Sequence, residues 1–370
     1  MRQLLFAALL LLCCAYGCIA DTDYLSPYTT DPNKEPGGPM PNKTKEEIIW
    51  GLKVVKYLVD DDEDVNLTKE WQNIRIAVNP GMIQKVMKYC KFKRAWLRGY
   101  TFSTHKGFDE KVCEAIKTPG EKKIHTLLWE VMPQAISMHV ERLKVKRVKD
   151  RLKINVPYDR QLISDAEGTR CVEMVSTSDG DKGMGIPDTD FVIHLGFSTR
   201  NPGTKICTYD KDGRPTSAMI KLNPFEIENT DQYIRLVAHE IAHGLGFSME
   251  VEKFKEMVLS GIKSNFVGYK ELNSTEIKKR VKEQYGCPGG IGMKLDNSAP
   301  KKENDIDTHF DRKAAQHELM APLKENKGGR KLYSKLTLAA LESTGYYQAD
   351  YNKAEMLLVR EWGCNFLKKP

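Results

Sequence analysis

The amino-acid sequence predicts an α+β fold in which a β-sheet is backed by helices. Short runs rich in β-branched and aromatic residues, at 74–78, 190–199 and 217–223, are typical of strands. Residues 121–142 instead repeat apolar side chains at helical spacing. The chain has 370 residues, which suffices for one large domain or for two smaller ones that share a cleft.

The first twenty residues are expected to be a secretory signal and not part of the fold. Arg2 precedes an apolar run, and the small residue Ala20 stands before the expected cleavage point. Residues 21–70 are dominated by proline, glycine and charge, so we expect a pro-segment or flexible N-terminal region with one short helix at 48–59. The folded body is expected to begin near Trp71.

The cysteines indicate an oxidising compartment. Three of the nine cysteines lie in the expected signal, and the even number that remains suggests disulfides whose pairing the spacing leaves open. The remaining cysteines are Cys90, Cys113, Cys171, Cys207, Cys287 and Cys364. Sequons for glycosylation occur at Asn42, Asn66 and Asn273. Because no later stretch resembles a membrane span or a lipid-anchor signal, we expect a secreted protein without a membrane anchor.

The net charge of +7 is spread along the chain and does not indicate a nucleic-acid partner. The basic run at 85–99 is interpreted as the solvated face of a helix. Residues 142–156 alternate apolar and basic side chains, which predicts a hairpin that turns near Lys149–Asp150. Its basic residues would then form the solvent-facing side of that hairpin.

Two further predicted elements precede the helix that carries the most informative motif. The helix predicted over 121–142 has Pro133 as a kink, and its apolar positions are Ile124, Leu127, Leu128, Val131, Ile136 and Val140. The turn at 209–215 is expected to separate the strands at 190–199 and 217–223. After it, Asn229 or Thr230 can cap a helix with an acidic first turn, which should end around Gly244 to Gly246.

This last helix carries the sequence "HEIAH". Residues four apart lie one above the other on a helix, so His239 and His243 can direct their imidazoles at one point. Zinc favours such nitrogen ligands and accepts three protein ligands plus a water molecule. Glu240 lies beside the first ligand, where its carboxylate can take a proton from the zinc-bound water and pass it to a leaving amine.

The third ligand is not evident from spacing. Many such sites place a third histidine six residues after the second, and that position is Met249. The downstream candidates are His309, His317, Asp311, Glu250 and Glu318. Three imidazoles are the commoner set after a glycine turn such as Gly246, and Met320 follows His309 by eleven residues, as a methionine turn beneath the metal would.

Three segments resemble the leishmanolysin family of metzincin zinc peptidases, with its invadolysin relatives. They are "VAHEIAHGLGFS", "THFDRKAAQHELMAP" and "LTLAALESTGYYQADY". The resemblance continues upstream at 131–145, 186–195 and 213–224, and covers roughly residues 71–367. It implies that residues 247–308 are a long insertion between the glycine turn and the third histidine.

The resemblance also implies the fold and the site. The expected metzincin fold has a twisted mixed sheet with helices in an upper subdomain, 71–246, and a mostly helical or irregular lower subdomain, 247–370, with the methionine turn. One zinc ion per chain would be held by His239, His243 and His309, with Glu240 as catalytic residue and Gly246 and Met320 as structural residues near the site. The implied disulfides are Cys90–Cys113, Cys171–Cys207 and Cys287–Cys364.

The expected function is that of a secreted zinc-dependent metalloendopeptidase. Its substrates would be proteins or peptides that lie in extended conformation along the cleft, against an exposed strand edge. One alternative is a secreted adhesion or host-protein-binding protein that keeps a structural zinc with little activity. Another is a peptidase whose third ligand is Glu250 or another glutamate. Hydrolysis that a zinc chelator abolishes would argue against the first alternative. Zinc binding that persists after replacement of His309 would favour the second.

Overall fold

The computed structural model describes residues 44–49, 52–57, 70–92, 108–116, 120–154, 185–199, 201–263, 266–287, 290–296, 308–322 and 330–356. All of them belong to one unit, Pro41–Pro370. The expected signal, most of the expected pro-segment and two of the sequons, Asn42 and Asn66, lie outside the described residues.

The described strands, in chain order, are β1 (Thr44–Ile49), β2 (Leu52–Tyr57), β3 (Gln72–Asn73), β4 (Ile76–Asn79), β5 (Leu143–Val145), β6 (Arg151–Leu152), β7 (Ile186–Pro187), β8 (Phe191–Phe197), β9 (Gly203–Tyr209), β10 (Pro215–Leu222), β11 (Val258–Lys263), β12 (Phe266–Leu272), β13 (Met293–Lys294) and β14 (Gln348–Ala349). The largest sheet has the order β1–β2–β4–β8–β10–β9. Strands β4, β8 and β10 are parallel, whereas β9, β2 and β1 each run antiparallel to their neighbours. This mixed sheet agrees with the predicted α+β fold.

The described α-helices are α1 (Gly81–Phe92), α2 (Phe108–Ile116), α3 (Gly120–Thr126), α4 (Met132–Val140), α5 (Asp231–Leu245), α6 (Glu252–Glu256), α7 (Thr275–Tyr285) and α8 (Lys335–Glu342). The helix predicted over 121–142 consists of α3, a π-helical turn at Leu127–Val131, and α4. Pro133 lies in the first turn of α4, where a missing backbone N–H costs little. All the apolar positions predicted for its buried face are at most 3% exposed.

The centre of the fold is the packing of α5 between α4 and the sheet. Every residue of β8 and of β10 is buried, as is typical of parallel strands that are covered on both faces. Apolar side chains of β8, β10, α4 and α5 belong to one continuous core, which extends to α7, α8 and the segment around Phe310. Helix α5 is thereby fixed along its length.

Two sequence-based predictions were wrong about secondary structure or pairing. Residues 48–59 were expected to contain a helix, but β1 and β2 form an antiparallel pair at one edge of the main sheet. Their β-branched residues favour strands once a neighbouring strand, β4, offers an edge. Residues 142–156 were expected to form a hairpin, but β5 pairs with β3 and β14, whereas β6 pairs with β7. Local alternation specifies a strand without specifying its partner.

The lower part of the chain also differs from its expected mostly helical or irregular character. Strands β11, β12 and β13 form an antiparallel three-stranded sheet within it. The sequences "VLSGIK" and "FVGYKEL" supply the β-branched and aromatic residues that such a sheet requires. In the upper part, β9 was not predicted. The turn at 209–215 joins β9 to β10, because the parallel strands β8 and β10 cannot be joined by a tight turn.

A disulfide between Cys90 and Cys113 links α1 to α2, with the two Cα atoms 5.1 Å apart. Cys207 and Cys287 each take part in a disulfide as well. Their expected partners, Cys171 and Cys364, lie outside the described residues.

Candidate metal centre

Both ends of α5 are defined by local chemistry. The hydroxyl of Thr230 accepts a hydrogen bond from the backbone N–H of Tyr233 over 3.2 Å, which caps the helix. Asp231 places a negative charge in the first turn, where the helix dipole favours it. The helix ends at Leu245, and Gly246 follows with φ 123°, a conformation that L-residues with a side chain rarely adopt.

A buried histidine on α4 supports the middle of α5. The Nε2 atom of His139 lies 2.9 Å from the carbonyl oxygen of Ala238, so it must donate. Its Nδ1 atom then accepts from the hydroxyl of Tyr333, 3.0 Å away. Burial lowers the pKa of His139 to about 3, which keeps the ring neutral with this proton arrangement.

Three histidine side chains converge beside α5. The Nε2 atoms of His239 and His243 are 3.1 Å apart. The Nε2 atom of His309 lies 3.0 Å from that of His239 and 3.2 Å from that of His243. The three nitrogens therefore form a nearly equilateral triangle, and among the described residues this is the group that could hold a metal ion.

The other ring nitrogens determine which tautomers are present. Nδ1 of His239 donates to the carbonyl oxygen of Leu319 over 2.6 Å, and Nδ1 of His243 donates to that of Phe247 over 2.8 Å. A carbonyl oxygen only accepts, so in the neutral rings both Nε2 atoms carry a lone pair and no proton. Burial lowers the pKa of His239 well below its usual range, and the neighbouring His243 and His309 lower it further.

This arrangement fits a cation. Two nitrogen lone pairs 3.1 Å apart repel each other unless a positive charge lies between them. Tetrahedral zinc with Zn–N distances of about 2.0–2.1 Å requires nitrogens roughly 3.3 Å apart, close to the observed separations. Imidazole nitrogens are also ligands that zinc favours. The donor set and its spacing therefore agree with the expected zinc site.

His309 is positioned by backbone pairing. Its carbonyl oxygen accepts from the N–H of Asp296 over 2.9 Å, and the carbonyl oxygen of Lys294 accepts from Asp311 over 2.9 Å. On the other side, the N–H of Phe310 donates to the carbonyl oxygen of Met320 over 2.8 Å. The segment around His309 thus lies between the end of the three-stranded sheet and the segment that follows His317.

The other predicted ligand candidates have different partners. The carboxylate of Asp311 lies 3.4 Å from Lys294 and accepts from the backbone at 313 and 314. Glu250 forms an ion pair with Lys205 over 2.5 Å. The His317 ring contacts Gln316 over 3.1 Å. The structure therefore brings His309, and none of these three, to the histidines of α5.

Glu318 is also engaged away from the histidines. Its carboxylate is fully buried and accepts from Ser334 over 2.5 Å, Thr337 over 3.3 Å and Gln284 over 2.9 Å. Burial raises the pKa of Glu318 to about 7, although these donors and Lys331 lower it. Glu318 immediately precedes Leu319, whose carbonyl orients His239. Glu318 was a candidate metal ligand in the sequence, whereas the structure places it next to the residue whose carbonyl orients His239.

Met320 and the residues around it form a buried segment next to the centre. Leu319, Met320 and Ala321 are fully buried. The ammonium group of Lys331 donates to the carbonyl oxygens of Gln316, over 2.7 Å, and Pro322, over 3.2 Å. These contacts hold both ends of the segment that supplies the Leu319 carbonyl.

Glu240 has a partner that the sequence did not indicate. Its side chain is buried on the same helix as His239 and His243, and its Oε2 atom accepts from the hydroxyl of Thr204 over 2.7 Å. Thr204 lies on β9, which was not predicted, so no sequence signal connected the two residues. The carboxylate is thus held between the helix and the edge strand of the sheet.

Two expectations from the sequence concern glycosylation at Asn273 and the absence of a membrane anchor. Asn273 is half-buried, and its side-chain amide donates to the carboxylate of the buried Glu271 over 2.7 Å. Among the described residues, no helix is both long enough and apolar enough to cross a bilayer.

Comparisons with known proteins agree on one family. Residues 31–370 match the family described as leishmanolysin, peptidase M8. The chain is 30% identical over 268 residues to leishmanolysin of Leishmania chagasi, which covers 70% of this chain and 42% of that protein. It is 29% identical over 309 residues to leishmanolysin of Leishmania donovani, covering 81% of this chain and 48% of that protein.

A more distant relative is a leishmanolysin-like peptidase of Caenorhabditis elegans. The identity is 26% over 257 residues, covering 54% of this chain and 38% of that protein. The chain therefore spans less than half the length of each of these three relatives.

Proposed function

The chain belongs to the leishmanolysin family of peptidases, and on that basis we propose that it is a secreted zinc-dependent metalloendopeptidase. The observation that carries this proposal is the triangle of imidazole nitrogens, two of which come from the helix that also carries the buried Glu240. A structural zinc site has no need of a buried general base next to its ligands, whereas peptide hydrolysis requires one.

We propose His239, His243 and His309 as the ligands of one zinc ion per chain. When bound, zinc supplies Lewis acidity, which lowers the pKa of water to about 7 and polarises the scissile carbonyl. The carbonyl oxygens of Leu319 and Phe247 keep two of the rings in the tautomer that presents Nε2 to the ion. Met320 and Gly246 support the site through packing and chain direction.

Glu240 is the proposed general base and acid. Its carboxylate takes the proton of the attacking water and then delivers that proton to the leaving amine nitrogen as the carbon–nitrogen bond breaks. Glu240 lies one residue after His239, and the Thr204 hydroxyl holds one of its carboxylate oxygens. Each turnover returns Glu240 to its ionised form.

The proposed substrates are proteins or peptides bound in extended conformation. Strand β9 is the last strand in the order of the main sheet among the described strands. A peptide that adds to the edge of a sheet forms main-chain hydrogen bonds independent of its sequence. Because β9 also carries Thr204, a peptide at this edge would lie next to Glu240.

The secreted location is supported by the disulfide between Cys90 and Cys113, since such bonds persist in oxidising compartments. It is tested by sequencing the amino terminus of the protein recovered from the culture medium, where cleavage before Asp21 is expected. The same sample reports by mass spectrometry whether Asn42, Asn66 and Asn273 are glycosylated.

The activity is tested with casein as substrate. We expect hydrolysis that a zinc chelator abolishes and added zinc restores. Glu240→Gln should keep its zinc but lose at least about a hundred-fold in kcat, since general acid–base catalysis contributes about that much or more. Glu250→Gln is the matched control, because its carboxylate pairs with Lys205 away from the triangle.

Two outcomes contradict the proposal. A zinc-loaded, folded wild-type protein without hydrolytic activity would support a binding protein with a structural zinc. Loss of zinc in Glu250→Gln would support a carboxylate as third ligand.

A further inference from the structure

We propose that Thr204 is a positioning residue for Glu240, and that its hydroxyl fixes the orientation of the catalytic carboxylate. This inference rests on the proposed peptidase function. It concerns which residue outside α5 makes Glu240 effective, a role that the "HEIAH" pattern does not assign.

The hydroxyl of Thr204 is near two oxygens of the same residue. It lies 2.7 Å from Oε2 of Glu240 and 2.9 Å from the main-chain carbonyl oxygen of Glu240. Both oxygens are acceptors when the side chain is ionised, so the single hydroxyl proton is donated to Glu240 whichever of the two oxygens accepts it. The Thr204 hydroxyl on β9 therefore lies within hydrogen-bond distance of both the backbone and the carboxylate of the residue after the first ligand.

Glu240 needs such a contact because its own rotamer does not fix the carboxylate plane. The last torsion of a glutamate side chain is broad and roughly two-fold, unlike the staggered torsions that precede it. A hydrogen bond to one carboxylate oxygen therefore decides how the plane is turned and which oxygen faces the substrate water. Proton transfer requires that oxygen within hydrogen-bond reach of the water.

Thr204 is itself held firmly enough to serve this purpose. Threonine is branched at Cβ, which restricts its first side-chain torsion. Its methyl carbon faces the helix one turn beyond Glu240, since a Cβ atom added at Gly244 would lie 3.6 Å from it. The methyl group thus packs against α5 while the hydroxyl points to Glu240, so the two branches have different partners.

The test compares variants that separate the hydroxyl from the shape of the side chain. Thr204→Val keeps the branched shape and removes the hydroxyl, whereas Thr204→Ser keeps the hydroxyl and removes the methyl group. Thr208→Val is the matched control on the same strand, because the hydroxyl of Thr208 is buried and bonds Thr216 over 2.8 Å and Ser217 over 2.6 Å. For each variant, kcat, KM, zinc content and melting temperature are measured with a fluorogenic peptide that the wild type cleaves.

We expect Thr204→Val to lose about ten-fold in kcat, with KM within about two-fold of wild type and full zinc content. Thr204→Ser should recover most of that loss. Thr208→Val should lower the melting temperature but leave kcat within about two-fold of wild type.

The outcomes distinguish this inference from the function on which it rests. If the wild type cleaves no peptide, the proposed peptidase function fails. If the wild type is active and zinc-loaded Thr204→Val keeps wild-type kcat, the positioning role is wrong. A loss in Thr204→Val that follows the melting temperature, or that Thr208→Val reproduces, would also overturn the positioning role and leave only a structural one.

Discussion

The backbone N–H of Met249 donates a hydrogen bond to the side-chain hydroxyl of Thr308 over 3.2 Å. Met249 occupies the position where a third histidine would follow the glycine turn, and Thr308 immediately precedes His309. The chain that leaves α5 thus supplies an anchor for the segment that carries the third imidazole. About sixty residues, 250–307, separate the two bonded residues in the sequence.

Thr308→Val should weaken zinc binding by about ten-fold, because the Met249 amide loses its acceptor and His309 loses one restraint. Competition with a chromophoric chelator measures the change. Thr308→Ser keeps the hydroxyl and is the control, with an expected affinity close to that of the wild type. Equal zinc affinities for the valine variant and the wild type would show that the contact does not position His309.

His309→Ala should bind less than one zinc ion per chain after gel filtration, because only two imidazoles remain at the centre. His317→Ala is the matched control, since its ring contacts Gln316 and lies outside the ligand group. Metal content measured by inductively coupled plasma mass spectrometry shows which of the two histidines is the third ligand. Full occupancy in His309→Ala together with loss in His317→Ala would reverse the assignment of the third ligand.

Gly246→Ala should lower the free energy of unfolding by about 1–3 kcal/mol, because a side chain strains the backbone at φ 123°. Crowding is not the cause, as an added Cβ would come no closer than 3.8 Å to other atoms. Gly203→Ala is the control, since its added Cβ meets nothing within 4 Å. Urea denaturation of the metal-free proteins measures both, and equal stabilities for the two variants would contradict the strain at Gly246.

Glu318→Gln should reduce the pH dependence of stability. Burial raises the pKa of Glu318 from 4.5 to about 7, so between these values the folded protein keeps a proton that the unfolded chain has released. Stability therefore falls as pH rises from about 4.5 to about 7, by roughly 3 kcal/mol for this group. Lys331 opposes the shift, and Tyr285 also interacts with Glu318.

Glutamine can take the place of this acid if the amide of Gln284 turns to present its oxygen. The wild-type decline over that pH range should be reduced in the variant, as measured by urea denaturation at several pH values. An unchanged difference between pH 5 and pH 8 would contradict the protonated state of Glu318.

His194→Leu should stabilise the protein in acid. His194 lies on β8 with 1% of its surface exposed, and among the described residues neither of its ring nitrogens has a hydrogen-bond partner. Burial lowers its pKa to about 4, so below pH 6.5 the unfolded chain binds a proton that the folded protein does not. Stability contributed by this group therefore falls as pH decreases from about 6.5 to about 4, by roughly 3 kcal/mol.

Leucine cannot bind that proton and leaves no buried polar atom, so we also expect a gain of about 1 kcal/mol at pH 7. Thermal unfolding at pH 5 and pH 7 measures both effects. A variant that is less stable than the wild type at pH 5 would show that the His194 ring has an unrecognised partner.

Much of α5 was predictable because its chemistry is local. The cap at Thr230, the stop at Gly246 and the stacking of His239 above His243 follow from residues within a few positions of one another. The same is true of the buried face of the helix over 121–142, whose periodicity is set by the helix itself. In these segments the nearest neighbours in sequence are also the nearest neighbours in space.

The pairing of strands could not be predicted in the same way. Residues 142–156 carry the alternation of a hairpin, yet β5 and β6 pair with strands from distant parts of the chain. Residues 48–59 were assigned to a helix because the sequence does not show that β4 offers an open edge. Strand partners depend on long-range packing, which local alternation does not encode.

The sequence by itself determined a helix that directs two imidazoles at one point and carries a carboxylate one residue after the first of them, because residues four apart lie one above the other on a regular helix. Only the tertiary structure decided that His309 joins them, that the Leu319 carbonyl sets the proton on His239, and that Thr204 holds Glu240. These contacts join residues 36 to 80 positions apart. The packing of the core brings such residues together, and no local spacing rule predicts which pairs will meet.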